Sequence, residues 1–154
     1  MTKQILEPDY IFTDIEMGTN TKDDALKMIA NLLASQIDVS ESELEDGLFE
    51  REELGTTGFI HGLAIPHAVV STLDEPIVGI FTFKEEVQWE ALDGNGVRIV
   101  FVLLTPKNTT DNEHLKLLSQ LSRNLVKTEY IERILRNLSN PKVLYAMVAE
   151  VVNE

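Results

Sequence analysis

Three side chains stand out by type and spacing: His67, His114 and Arg51. His67 ends a glycine-punctuated stretch, Arg51-Glu52-Glu53-Leu54-Gly55-Thr56-Thr57-Gly58-Phe59-Ile60-His61-Gly62-Leu63-Ala64-Ile65-Pro66-His67. Pro66 fixes its own φ and withholds one ladder donor, so the strand there ends or lies at a sheet edge, which holds the imidazole at a rim. With an ordinary pKa of about 6.5, a histidine is largely neutral near pH 7 and keeps one ring lone pair, so it can act as base, ligand or nucleophile. The plainer alternative is a ring that ends a strand and bonds to a carbonyl.

His114 follows Asp111-Asn112-Glu113 and falls in series with Leu118, Leu121 and Leu125. That spacing puts it on the buried stripe of a helix, in its first turn, where free backbone N–H groups and the helix dipole favour an anion. Packing against leucines with a bond to a neighbouring carbonyl is the competing role. Arg51 continues the line of Leu44 and Leu48, and its guanidinium suits either a structural salt bridge or the grip on an oxyanion. Taken together, a nucleophilic imidazole, a second imidazole at a helix start and a guanidinium suit a phosphoryl group. Its transfer spreads charge over equatorial oxygens that positioned donors can stabilise without a metal. Gly55 to Gly62 holds no Gly-Lys-Ser/Thr ending, so a protein is a better phosphoryl donor than a nucleotide.

Composition narrows the choice further. The 154 residues include no cysteine, which removes disulfides, thiolate metal sites and thiol catalysis and leaves His, carboxylate, hydroxyl and Lys/Arg for any chemical role. A formal charge of −13 repels a nucleic-acid backbone and suits a basic protein partner. The N-terminal residues lack an apolar signal core, and no segment approaches the roughly 20 apolar residues needed to span a bilayer, so a cytoplasmic protein is expected. A metal-dependent hydrolase using His61, His67, His114 and Asp93 would need a compact ligand motif that these spacings do not make.

The positioning elements follow from periodicity. Tyr10-Ile11-Phe12 reads as a short strand. Thr21 with Asp24, and Ser40 with Glu43, resemble capping boxes that open two helices; Leu26, Ile29, Leu32 and Leu33 line the first, Leu44 and Leu48 the second, which should end near Gly55. Strands are expected over 62–70, 77–83 and 97–104, the last apolar on both parities as in a central strand covered on both faces. Three helices should follow, carrying Leu115, Leu118, Leu121 and Leu125; then Ile131, Ile134, Leu135 and Leu138 after Thr128; then Val143, Leu144, Met147 and Val151 after Asn140-Pro141. The order predicts a single α/β domain over 1–154 with a mixed β-sheet flanked by helices on both faces, not a repeated βαβ nucleotide fold.

The run Arg51-Glu52, Thr57-Gly58, Gly62, Ala64-Ile65-Pro66-His67, with Ala91-Leu92-Asp93-Gly94, the strand Ile99 to Leu104 and Glu113-His114-Leu115-Lys116-Leu117-Leu118, resembles the enzyme IIA domain of the fructose/mannitol class of the phosphoenolpyruvate-dependent sugar phosphotransferase system (PTS). The resemblance covers nearly the whole chain. It implies that His67 is phosphorylated, that His114 and Arg51 stand beside the phosphate, that phospho-HPr is the donor, that a cysteine of a sugar-specific IIB component is the acceptor, and that no cofactor takes part. It equally admits the nitrogen-type regulatory IIA group, which uses the same histidine and signals by phosphorylation-dependent protein binding. Many relatives carry Gly-Ile-Gly where this chain has Gly58-Phe59-Ile60, and Lys or Asn in place of His61, which is expected to be a solvent-facing loop residue.

Overall fold

Capping side chains decide where the first two helices begin. In the computed structural model, which describes residues 5–107 and 111–153 but not the side chains of 111–115, Thr21 accepts from the backbone N–H of Asp24 to open α1 (Lys22–Ala34). Ser40 accepts from that of Glu43 to open α2 (Glu41–Glu53). Each cap satisfies a backbone donor that the first helical turn leaves orphaned.

Among the described residues, five strands form one mixed sheet. β1 (Ile11–Ile15) runs parallel to β4 (Ile77–Val87), which pairs antiparallel with β5 (Val97–Pro106). The far side of β5 takes two short parallel strands in succession: β2 (Leu63–Ala64) opposite Ile99 and Val100, and β3 (His67–Val70) opposite Leu103 to Pro106. The expected single strand over 62–70 is therefore interrupted at Ile65-Pro66. The cause is the one read from the sequence: Pro66 has no N–H for the ladder, though its carbonyl still accepts from Leu103 N at 3.0 Å. β4 runs four residues beyond the expected end. Lys84, Glu85 and Glu86 face solvent, and Val87 returns to the core opposite Val97 after a register shift.

α3 (Asp111–Leu125), α4 (Thr128–Leu135) and α5 (Pro141–Val152) cover one face of the sheet and α1 with α2 the other, giving two apolar clusters separated by the strands. On β5, Val100, Val102 and Leu104 point to the α1/α2 side, while Ile99, Phe101 and Leu103 point to the side of α3 to α5. This is the two-faced burial expected of that strand. The buried side of α3 runs through Leu117, Leu121 and Leu125, with Leu118 only partly buried and Leu115 outside the described side chains. Leu138, expected on the fourth helix, lies beyond its end at Leu135, and its carbonyl accepts from Thr82 Oγ1 at 2.8 Å. Asn140 caps α5 with Pro141 in the first turn, as the sequence suggests. Among the described residues no helix is long and apolar enough to cross a membrane.

Candidate functional site

His67 is the first residue of β3, at the edge of the sheet, and its side chain is half-buried. Arg51 lies in the last turn of α2, which packs along β3, so the guanidinium reaches the ring. Arg51 Nε donates to His67 Nε2 at 2.9 Å, and Nη1 donates to the carbonyl of Gly55 at 2.9 Å. A guanidinium N–H can only donate, so Nε2 must carry the lone pair and the neutral ring holds its proton on Nδ1. That nitrogen faces the carbonyl of Ile65 at 3.4 Å. The ring nitrogen left with a lone pair is therefore Nε2, and a guanidinium already stands against it.

The backbone leading to the ring is fixed by a second layer of bonds. Ile65 N donates to the carbonyl of Thr57 at 3.0 Å. Thr57 is in turn held by Glu52, whose carboxylate accepts from Thr57 N at 3.0 Å and from the Thr57 hydroxyl, and pairs with Lys22 Nζ at 3.2 Å. Trp89, fully buried, donates from Nε1 to Thr57 Oγ1 at 3.3 Å. Gly58 follows directly, and a Cβ there would come within 2.7 Å of the Ala91 backbone, so the loop can lie against Trp89 and Ala91 only with glycine at this position.

The tip of the loop is tied down separately. His61 and Gly62 both adopt positive φ, at 59° and 78°, and Asp93 Oδ2 accepts from His61 N at 3.0 Å. The N–H groups of Asn95 first and His61 second hold the Asp93 carboxyl below its usual range, because both favour the ionised form. His61 is exposed, as expected of a loop residue.

Of the three residues singled out from the sequence, His67 and Arg51 are in direct contact. The side chain of His114 lies outside the described residues; its backbone is in α3, the helix that comes after β5, the strand with which His67 pairs. Among the described residues no group of three or more His, Cys, Asp or Glu is arranged to hold a metal ion. Sequence reasoning passed over Glu52. The stripe Leu44, Leu48, Glu52 repeats every four residues, and the third member is as buried as its place on the stripe requires, at 9% exposure. Its place on that stripe hints at burial, but a carboxylate there reads first as a solvated group at a helix end, and only partners from other elements make its burial legible.

The chain matches, over residues 4–151, the family described as "Phosphoenolpyruvate-dependent sugar phosphotransferase system, EIIA 2". It belongs to that family. Its EIIA relatives have more than one role. A protein of Pseudomonas aeruginosa named "Nitrogen regulatory protein" is 36% identical over 152 residues, covering 98% of this chain and 96% of that one. A Haloferax volcanii protein named "PTS system fructose-specific EIIA component" is 33% identical over 140 residues, covering 90% and 89%. Among solved EIIA structures, the nitrogen regulatory protein IIA-Ntr from Neisseria meningitidis superposes with a TM-score of 0.82 at 31% identity, over 93% of this chain and 95% of that one. The mixed sheet flanked by helices is thus the fold of this EIIA family.

Proposed function

We propose that this EIIA protein is a phosphocarrier that accepts a phosphoryl group from phospho-HPr on Nε2 of His67. The observation that carries the reading is the 2.9 Å bond from Arg51 Nε to that nitrogen, which fixes the tautomer with the lone pair on Nε2 and sets a guanidinium beside the atom that would bond phosphorus. In the transfer step the Nε2 lone pair attacks phosphorus. The bond to the donor nitrogen breaks with its electron pair returning to the donor ring, and each imidazole keeps the proton on its other nitrogen. Arg51 must release Nε2 as the N–P bond forms and turn its N–H groups to the phosphoryl oxygens, where charge develops. By family resemblance His114 stabilises the same group from the start of α3. No cofactor is required.

The fate of the phosphoryl group divides two readings. Identity to proteins named nitrogen regulatory, over nearly the full length of both chains, supports a regulatory IIA whose phosphorylation state governs its binding to other proteins. The fructose-specific relative supports the transport reading, in which a cysteine of a IIB component accepts the group. Incubation with enzyme I, HPr and phosphoenolpyruvate, followed by intact-mass measurement before and after mild acid, tests the shared step. A single acid-labile phosphoryl adduct, lost in His67→Ala, is expected. An adduct that persists in His67→Ala, or none while HPr is fully phosphorylated, overturns it. Discharge of the adduct on adding a IIB protein then marks the transport role, and partner capture that changes with phosphorylation marks the regulatory one.

A further inference from the structure

Glu52 is the one charged residue among the described residues that is buried, and the phosphocarrier reading gives it nothing to do. A buried carboxylate is costly unless charge and donors compensate it. Here Lys22, at the start of α1, supplies the charge, and Thr57 supplies both its N–H and its hydroxyl. Two lines of bonds lead from this carboxylate to the two ring nitrogens of His67. One runs through Thr57: its carbonyl takes Ile65 N at 3.0 Å, and the carbonyl of Ile65 faces His67 Nδ1 at 3.4 Å. The other is the neighbouring residue on the same helical turn, Arg51, which holds Nε2 at 2.9 Å. Trp89 closes the arrangement from the far side through Thr57 Oγ1, which thereby accepts one hydrogen bond and donates another and has a single productive orientation.

We propose that Glu52, braced by Lys22 and Thr57, is a positioning residue for His67: it fixes the end of α2 and the loop after it so that Arg51 meets Nε2 while Ile65 meets Nδ1. Glu52 touches neither the ring nor the phosphoryl group. It acts by setting which nitrogen carries the lone pair and where that lone pair points, and small misplacements of an attacking atom are enough to slow transfer strongly. The inference rests on the phosphocarrier reading for its effect on rate, but not for its effect on the ring.

Two readouts on the same variants test it. Long-range ¹H–¹⁵N spectra of the unphosphorylated protein report the tautomer of His67 without any donor. Single-turnover uptake from phospho-HPr reports the transfer rate and, from its concentration dependence, donor affinity. Thr57→Val preserves shape while removing the hydroxyl that links Glu52 to Trp89; with Glu52→Gln it is expected to turn a single Nδ1–H tautomer into a mixture. Both should slow the transfer step about tenfold or more at unchanged donor affinity, and Thr57→Ser should restore both readouts. Far-UV circular dichroism and a cooperative denaturant transition verify that each variant is folded. Should Glu52→Gln not fold, Thr57→Val carries the test alone. Folded variants with the wild-type tautomer and wild-type uptake overturn the proposal. If wild type takes up no phosphoryl group, the phosphocarrier reading fails, and the tautomer comparison still decides the role of Glu52.

Discussion

The face of the sheet under α1 and α2 and the face under α3, α4 and α5 are closed by different means. On the first, the apolar cluster of Leu26, Leu44, Leu48, Phe81, Trp89 and Val102 packs around a polar string of Lys22, Glu52 and Thr57, which connects to His67 through the backbone of Ile65. On the second, Ile99, Phe101 and Leu103 meet Leu117, Leu121, Ile134, Leu144 and Val148. Apolar packing is non-directional and tolerates substitutions that keep volume; a satisfied network of hydrogen bonds in a low-dielectric interior admits one geometry. The α3 to α5 face therefore supplies stability and holds the strands. The α2 face spends part of its burial on polar groups that aim a single imidazole.

Substitutions should separate the two roles. Phe101→Ala, fully buried on the apolar face, should cost about 3–5 kcal/mol in denaturant unfolding while leaving the phosphoryl uptake rate of the folded fraction unchanged. A large change in that rate would break the distinction. Gly58→Ala should cost less, about 1–3 kcal/mol for forcing a methyl group against backbone, yet should also slow uptake, because the Ala91 atom it meets at 2.7 Å lies against the loop before His67. Arg51→Lys should leave the melting temperature nearly unchanged and slow uptake about tenfold or more, equivalent to ~1.4 kcal/mol, since an ammonium cannot hold both His67 Nε2 and the Gly55 carbonyl as the guanidinium does.

The smallest effect belongs to a polar group on the apolar face. Tyr130 donates to the carbonyl of Met147 at 3.1 Å, and burial, with Glu150 adding to it, pushes its phenol up to about 12. A raised folded pKa means that the neutral phenol is favoured in the folded state. The contribution is then fully present below the unfolded value of about 10 and is lost as pH rises through about 12. Tyr130→Phe should cost about 1 kcal/mol at neutral pH and remove that alkaline loss of stability from a pH series of unfolding curves. Uptake rates should be unaffected.

Local signals in the chain were sufficient for the starts of α1, α2 and α5 and for turning Arg51 toward the sheet. Thr21, Ser40 and Asn140 act as caps through bonds to residues three positions on, so their role is written within one turn of sequence. Arg51 was legible because it lies one turn from Leu48 on the side of α2 that packs on the sheet. Pro66 marked the break at the sheet edge, although the resumption of pairing at His67 depends on β5, which the local sequence does not contain. Glu52 was not legible as a buried group. Alone, a carboxylate beside Glu53 reads as part of a solvated helix end; its burial requires Lys22 from α1 and Trp89 from the loop after β4, which only the tertiary fold brings to Thr57. The extension of β4 was missed for a similar reason: Lys84-Glu85-Glu86 looks like the end of a strand, and only the pairing of Val87 with Val97 carries it on.

In the proposed transfer, Nε2 of His67, held by Arg51, is the atom that receives phosphorus. Long-range ¹H–¹⁵N spectra of the histidine rings, recorded on the protein before and after phosphorylation by phospho-HPr, test it most directly. A resting His67 protonated on Nδ1 is expected, and after reaction a phosphoryl group on Nε2 of that residue with the rings of His61 and His114 unmodified. A resting ring protonated on Nε2, or phosphorylation at Nδ1 or on another histidine, would contradict it.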